Sequence, residues 1–588
     1  MKWMQVSDKE LFDIINGATM LQLKAITGYQ KGLIDQKKYP QPRKNKRQMI
    51  ELLSKLIKDE EYKTKFYHQL TTTPQSKELY YRLLWKQKEM SVEEGEDKFG
   101  LNSNNTTRVD YSEEKFNGHL SLIYKYSYWN EDSIYIHQRI RPILKLIHPL
   151  PDDYELREAH QIDDTTYTYS NESNILSIIT TIEEMLKTNL IAFGKTGEKP
   201  LAKSLNILKS TTSNQEFFPT KKMDSLAMDM LTRSFSFYYW EKQRFKKTPL
   251  ETLKTFITLQ LNDIFSYTIS RVFLSHIRKV KFGKYSDEQL ELFDIVKIVI
   301  EKIPKKGWVD FDNIINYCNY RDFRIDLESS YATERYYMDV DPQRVHDDRL
   351  FAEDKNYNAI IFEPMLKGMF FYLGALGIVE LKYNDPLSLS SILPNSITAK
   401  GKPYISVWDG LRYVKLTALG RYIFDFEERY TAPKIAEKAS TVKFDEYKPI
   451  ITIQNNDAIM LAKLEPYTDK YDSNRYILSY SKIFKGCESN KILEAKIDKF
   501  YTLFDKPVPV LFDNYFDEIY AKSNLLKREP SQVVIELENN KALLNIFMNN
   551  KKLQELVTKA SGYRIIVSRK ELPKLTKILK ENGFFVEF

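Results

Sequence analysis

Only two of the 588 residues are cysteine, Cys318 and Cys487. A disulfide framework is therefore excluded, and two cysteines alone cannot build a zinc site. Two reduced, buried thiols are the expectation. Histidine is scarce as well. None of the seven (His68, His119, His137, His148, His160, His276, His346) stands in an H-x-H or H-E-x-x-H spacing. The run His346-Asp347-Asp348 is read as an exposed acidic turn beside Arg344 and Arg349. Serine nucleophile elbows and C-x-x-C pairs are missing. Long apolar runs are missing too. The most apolar stretch, Ile360–Leu381, is interrupted by Glu363, Pro364 and Lys367, whereas a spanning helix needs about 20 predominantly apolar residues. No signal peptide is visible before the first amphipathic segment. The expectation is a cytoplasmic protein with no membrane partner. Solenoid-period repeats and low-complexity tracts are absent.

What is present has an ordinary globular balance, with 42% hydrophobic residues and a mean hydropathy of −0.47. A length of 588 residues predicts three to five domains at roughly 100–200 residues each. Net charge is +8, from 88 basic and 80 acidic residues. Met1–Met90 carries 18 Lys and Arg against 10 Asp and Glu, again +8, so the remainder is formally neutral. A basic end on a neutral body suggests a polyanion contact at that end.

The N-terminal region, 1–92, is expected to be helical. Asp8–Ile15 follows Ser7 as a plausible N-cap, and Met20–Ile26 is a second helical piece. A loop with Pro40 and Pro42 leads to Arg43-Lys44-Asn45-Lys46-Arg47 and the helix Met49–Ile57. This order resembles a SAP-type DNA-binding motif. Lysine, arginine and a helix N-terminus all favour phosphate. Gln75–Met90 is a further helix, and the polar stretch 93–118 is expected to be a linker.

Region 119–285 is expected to be largely helical. Asn174–Leu186 is amphipathic, Leu190–Phe193 is a short strand, and a polar turn precedes a helix near Leu201. That order resembles a small winged-helix-like unit. Ser225–Glu241 and Pro249–Ile277 are expected as long helices. Region 286–430 is expected to be a winged helix with insertions. Its helices are Glu288–Ile303, the one begun by KGWVDFDNIINY, and Ala359–Gly374, with a polar insertion at Arg321–Asn356. LGALGIVELKY enters a strand, Pro386–Gly410 forms the wing, and RYVKLTALGRYIFDFEE returns. A linker, 431–447, follows.

The C-terminal segment, 448–588, carries a further pattern. Ile450–Gln454 and Ala458–Leu464 look like strands, and Lys491–Phe504 and Val510–Ala521 like helices. Strand Val533–Leu537, helix Lys541–Phe547, strand Tyr563–Val567, a helix near Glu571–Lys580 and strand Phe584–Phe588 complete it. The runs IITIQNNDAIML, YILSYSKIFKGCESNKILEAKIDKFYTLFDKPVPV, VVIELENNKALLNIFMNNKKLQELV and YRIIVSRKELPKLTKILKENGF resemble, in pattern and order, the XPB-type helicase-associated domain. That domain occurs beside helicase motors and in bacterial helicase-associated proteins that have none.

No motor is legible. Gly194-Lys195-Thr196 would need a first glycine where Asn189 stands to make a phosphate-cradling loop. No acidic D-E-x-[DH] box occurs, so ATP hydrolysis and an enzymatic role are not expected, and no cofactor is implied. Glu380-Leu381-Lys382 is half of a restriction-type nuclease site; the other half needs an Asp on a neighbouring strand, and Asp354 is upstream but sits in polar loop sequence. A Mg²⁺-dependent nuclease is thus one alternative reading, and a protein–protein scaffold without DNA binding is another. Ala359–Gly374 offers only Lys367 for reading bases. The candidate phosphate contacts are therefore Arg43, Lys44, Lys46 and Arg47, with Lys400, Lys402 and Arg412 in and near the wing. The expected fold class is α+β, mostly helical and multidomain, with winged-helix units and a C-terminal XPB-like α/β domain. The resemblance implies a DNA-binding accessory protein in DNA repair or anti-phage defence, working with a helicase or nuclease partner.

Overall fold

The computed structural model describes every residue except 30–44, 87–88, 129–130, 196–198, 213–215, 220–222, 224, 243–244, 247, 261–268, 279–291, 326, 328–334, 340–348, 353–356, 387–404, 433–441, 455–456, 524–528 and 586–588. The fold is α+β, with about 50% helix and 15% strand in several small antiparallel sheets. It divides into two compact units, Met1–Lys438 and Ala439–Phe588. No described helix is long and apolar enough to cross a membrane.

In the first unit, Ser7 caps helix α1 (Asp8–Asn16) through a full capping box with Glu10. Helices α2 (Met20–Tyr29), α3 (Lys46–Lys58), α4 (Glu60–Leu70) and α5 (Pro74–Tyr81) follow. Their apolar stripes meet in one core that includes Leu11, Ile15, Leu53, Phe66 and Trp85. The helix expected over Gln75–Met90 ends in a π-helical turn, Arg82–Lys86, and Glu89–Ser91 is strand β1. The expected linker 93–118 instead carries helix α6 (Val92–Phe99) and strands β2 (Thr106–Arg108) and β3 (Glu113–Phe116). With β4 (Tyr124–Tyr128) and β5 (Glu131–Tyr135) these form a five-stranded sheet ordered β1-β5-β4-β3-β2. Its strands are short and polar on one face, which is why the stretch looks like loop in sequence. Helix α7 (Arg141–Ile147) is almost wholly buried against the N-terminal core.

Strand β6 (Tyr167–Tyr169) and helices α8 (Ile175–Lys187), α9 (Ala202–Thr211) and α10 (Leu226–Lys242) come next. Between α8 and α9 the expected strand Leu190–Phe193 is reduced to one bridge, Phe193 to Pro200. Of the long helix expected over Pro249–Ile277, the described residues form α11 (Pro249–Thr255), a π-helical turn at Phe256–Gln260 and a short helix at Ser270–Phe273, with 261–268 outside them, and Ile277–Arg278 is strand β7. Helix α12 (Leu292–Lys302), strand β8 (Val309–Asp310) and helix α13 (Phe311–Tyr320) follow. The polar insertion Arg321–Asn356 contributes β9 (Tyr337–Asp339) and β10 (Arg349–Phe351), which add to β7 in a three-stranded sheet.

Helix α14 (Glu363–Ala375) is preceded by a π-helical turn at Asn358–Phe362. Strands β11 (Val379–Tyr383) and β12 (Leu411–Leu416) and helix α15 (Ala418–Ile423) close the unit. The sheet order is β6-β11-β12-β8, so β12 lies between β8 and β11. Gly377 enters β11 at φ +73°, a left-handed conformation that a side chain would strain.

The second unit opens with β13 (Val442–Phe444) and β14 (Ile450–Ile453). Ala458–Leu464, expected as a strand, is helix α16, because the Asp457 carboxylate accepts from the amides of Ile459 and Met460 and caps it. Strands β15 (Thr468–Lys470) and β16 (Arg475–Leu478) complete a sheet ordered β13-β14-β16-β15. Helices α17 (Asn490–Tyr501) and α18 (Val510–Ser523) share its core through Phe500, Phe512 and Phe516. A second, smaller core lies under strands β17 (Gln532–Glu536), β18 (Val557–Ala560) and β19 (Arg564–Ser568). Helices α19 (Lys541–Asn549), α20 (Lys551–Leu556) and α21 (Leu572–Glu581) pack into it. Phe584 and Phe585 are not in a strand, and 586–588 lie outside the described residues.

Candidate nucleic-acid interface

The basic start of α3 is set by its apolar stripe. Met49, Ile50, Leu52, Leu53, Leu56 and Ile57 are buried, which leaves Lys46, Arg47 and Glu51 outside. The Asn45 side chain caps the helix by accepting from the Arg47 amide at 3.0 Å. No acidic residue stands in the first turn to offset the partial positive charge of the helix end. The two described members of the basic knot then diverge in role. Lys46 Nζ donates to the Asn16 carbonyl, 2.8 Å away at the end of α1, and so ties two helices together. The Arg47 side chain is 84% exposed and makes a surface pair with Glu51, 3.3 Å away; such a pair contributes little. Arg43 and Lys44 lie outside the described residues, as do Lys400 and Lys402.

Arg412 sits at the base of β12, with Nη1 3.9 Å from Asp312 Oδ2 on α13. Lys367, the single polar candidate on α14 for reading bases, is buried instead. Its Nζ donates to Asp409 Oδ1 at 3.3 Å and lies 3.7 Å from Glu363 Oε2. Burial works against its charge, but Asp409 and then Glu363 outweigh that and hold the ammonium pKa above its ordinary value. The same Asp409 carboxylate accepts from the Ile405 and Ser406 amides, 2.8 and 2.9 Å away. Lys367 therefore pins the chain ahead of β12 to the helix, and is not available to a groove.

The Glu380-x-Lys382 pair meets other partners. Glu380 stands opposite Lys415 in the β11–β12 register and accepts from its Nζ at 3.0 Å. Lys382 Nζ lies 5.4 Å from the Trp308 ring. Asp354 is outside the described residues, as is His346-Asp347-Asp348. Among the described residues no group of three or more His, Cys, Asp or Glu is placed to hold a metal. Both cysteines are free thiols, and burial pushes the Cys318 thiol well up.

A second basic surface was not singled out in the sequence. Leu575 and Leu579 turn one face of α21 into the core, which leaves Lys574, Lys577 and Lys580 exposed, with Lys570 just before them. The signal was the K-x-x-K-x-x-K spacing laid on an amphipathic helix. Compared with known proteins, the chain matches no family model and no curated protein.

Proposed function

We propose that the chain is a non-catalytic DNA-binding accessory protein that works with a separate helicase or nuclease. On this reading 286–430 is a winged helix and 448–588 an XPB-like helicase-associated domain, and the setting is DNA repair or anti-phage defence. The order α12-β8-α13-α14-β11-β12, interrupted by the inserted β9 and β10 between α13 and α14, with β12 between β8 and β11, supports the first assignment. Every residue of α14 from Pro364 to Ala375 is buried, so phosphate contact, not base reading, is the mode this reading requires. The observation that carries it is the exposed Arg47 at a capped, acid-free helix start.

The test is the affinity of the full chain for duplex, forked and single-stranded DNA across a salt series. The variant changes Arg43, Lys44 and Arg47 to Ala and spares Lys46, whose ammonium holds α1. Each lost phosphate contact flattens the slope of log affinity against log salt by about 0.9 on duplex DNA. A flattening of roughly 1–3 is expected for the triple variant. A slope unchanged by the substitutions would move the contact elsewhere. No binding at physiological salt would favour the scaffold reading.

A further inference from the structure

Helix α10 brings two aromatic side chains to the surface within a basic stretch of chain, and the phosphate contact at α3 does not use them. Every residue of α10 from Ala227 to Ser236 is buried, as is Tyr238. Phe235 and Tyr238, three apart on one face, pack against Phe245 and Phe256 with ring centroids 4.9–6.0 Å apart. Exposure begins only in the last turns of the helix. There Phe237 and Trp240, also three apart, are 39% and 51% exposed. The Trp240 ring meets Phe193 edge-on at 5.0 Å. That contact holds the ring in place while half of its surface stays open to solvent.

Phe193 belongs to a hairpin just ahead of α9. The Gly194 amide donates to the Lys199 carbonyl and the Leu201 amide to that of Ala192, at 2.9 and 2.8 Å, around the Phe193–Pro200 bridge. At the far end of α9, Lys209 Nζ donates to Ser225 Oγ, just ahead of α10, at 3.0 Å. The two helices pack with those ends together, so the start of α9 lies toward the Trp240 end of α10. Lys195, Lys199 and Lys203 are exposed on the hairpin and the first turn of α9, and Lys242 and Lys246 are exposed just past Trp240. Residues 194–203 and 237–247 together hold seven Lys and Arg against two Glu, although the chain beyond Met90 is formally neutral.

We infer that this surface binds single-stranded nucleic acid, with unpaired bases stacked on Trp240 and Phe237 and the adjoining phosphates on Lys195, Lys199 and Lys203. Every base has a π-face, so aromatic rings beside a basic track hold single strands without reading sequence. In a duplex those faces are already covered by the neighbouring bases. A protein partner fits the surroundings less well, because lysine is depleted from protein–protein interfaces even where aromatics are enriched. The surface is separate from the start of α3, so the two contacts stand or fall independently.

Fluorescence anisotropy of the full chain with a labelled oligothymidylate, and with an abasic strand of the same length and charge, tests this. The protein should prefer the oligothymidylate. Trp240→Ala should weaken it about fivefold or more, while the abasic strand and duplex DNA lose less than about twofold. Trp240→Phe should recover most of the loss, and Phe237→Ala gives a second reading on the same face. Changing Lys195, Lys199 and Lys203 to Gln should flatten the salt slope on the oligothymidylate by roughly 1–2, at about 0.7 per phosphate contact. Tyr111→Ala, at an exposed ring elsewhere in the first unit, should change neither strand, and melting temperatures check the fold of every variant. No binding of the oligothymidylate, no preference for it over the abasic strand, or equal losses on both strands in Trp240→Ala would each overturn the inference and leave the patch to a protein partner. Duplex binding that persists beside such a result leaves the contact at α3 standing.

Discussion

At the scale of single residues, the most consequential placements are charges and titratable rings held away from water. Lys367 is one. Its side chain is 8% exposed and that of Asp409 11%. Removing one member of such a pair strands the other and costs about 3–5 kcal/mol. Lys367→Met should therefore lower the unfolding free energy read from urea denaturation by an amount in that range, and Lys367→Met with Asp409→Asn should recover a substantial part of it. DNA affinity in folded Lys367→Met protein should stay unchanged; a selective loss would put the lysine back in the interface. The sequence left this residue looking like the one base-reading group of its helix, because Asp409 lies 42 positions away. His148 is the second case. The Trp85 indole donates to its Nδ1 at 3.1 Å, and burial lowers its pKa from 6.5 to about 4 against the pull of the Pro149 carbonyl. The unfolded chain therefore binds the extra proton first. The stability from neutral His148 is full above about pH 6.5 and drains away toward pH 4, up to about 3 kcal/mol. Chemical denaturation from pH 7 to 4 should show that decline, and His148→Gln should flatten it. An identical slope in the variant would assign the acid sensitivity to other groups.

At the scale of elements, close backbone approach decides more than propensity does. A Cβ on Gly420 would sit 2.2 Å from the Ile378 carbonyl oxygen. That oxygen already accepts from the Thr417 amide at 3.0 Å, so neither β11 nor α15 can yield cheaply. Gly420→Ala should destabilise the first unit by about 3 kcal/mol or more, read as a lowered melting temperature; a loss below about 1 kcal/mol would mean that the junction gives way. The L-T-A-L-G-R run was legible as a strand-to-helix joint, but the reason for its glycine was not, since Ile378 approaches only in the folded sheet. Helices with a clear apolar stripe, such as α3, α8 and α17, were legible from periodicity. The errors fell where composition and geometry part. Ala458–Leu464 looked like a strand because it is short and apolar, yet Asp457 and a run of Ala, Met and Leu favour a capped helix. Residues 93–118 looked like a linker because β2 and β3 are built of Thr, Glu and Lys, and their pairing is with strands whose partners sequence alone does not name.

At the scale of the whole molecule, the two units have separate interiors. Among the described residues, the two cores of 439–588 draw on residues from Val442 to Leu579. At 150 residues the unit is of ordinary domain size. Expressed alone it should unfold cooperatively in urea, and a broad, non-cooperative transition would show that its cores need the rest of the chain. The division also separates the two candidate phosphate surfaces, which sequence charge alone did not. The basic excess near the N-terminus was visible at once, whereas the lysines of α21 sit in a segment whose overall balance is only 24 basic to 20 acidic residues. Fragments 1–438 and 439–588 can therefore be compared for salt-dependent DNA binding. If phosphate contact rests on the start of α3, the first fragment keeps most of the full-length salt slope and the second has little. If 439–588 alone keeps the slope, the contact lies on α21, and Lys570, Lys574 and Lys577 become the residues to change.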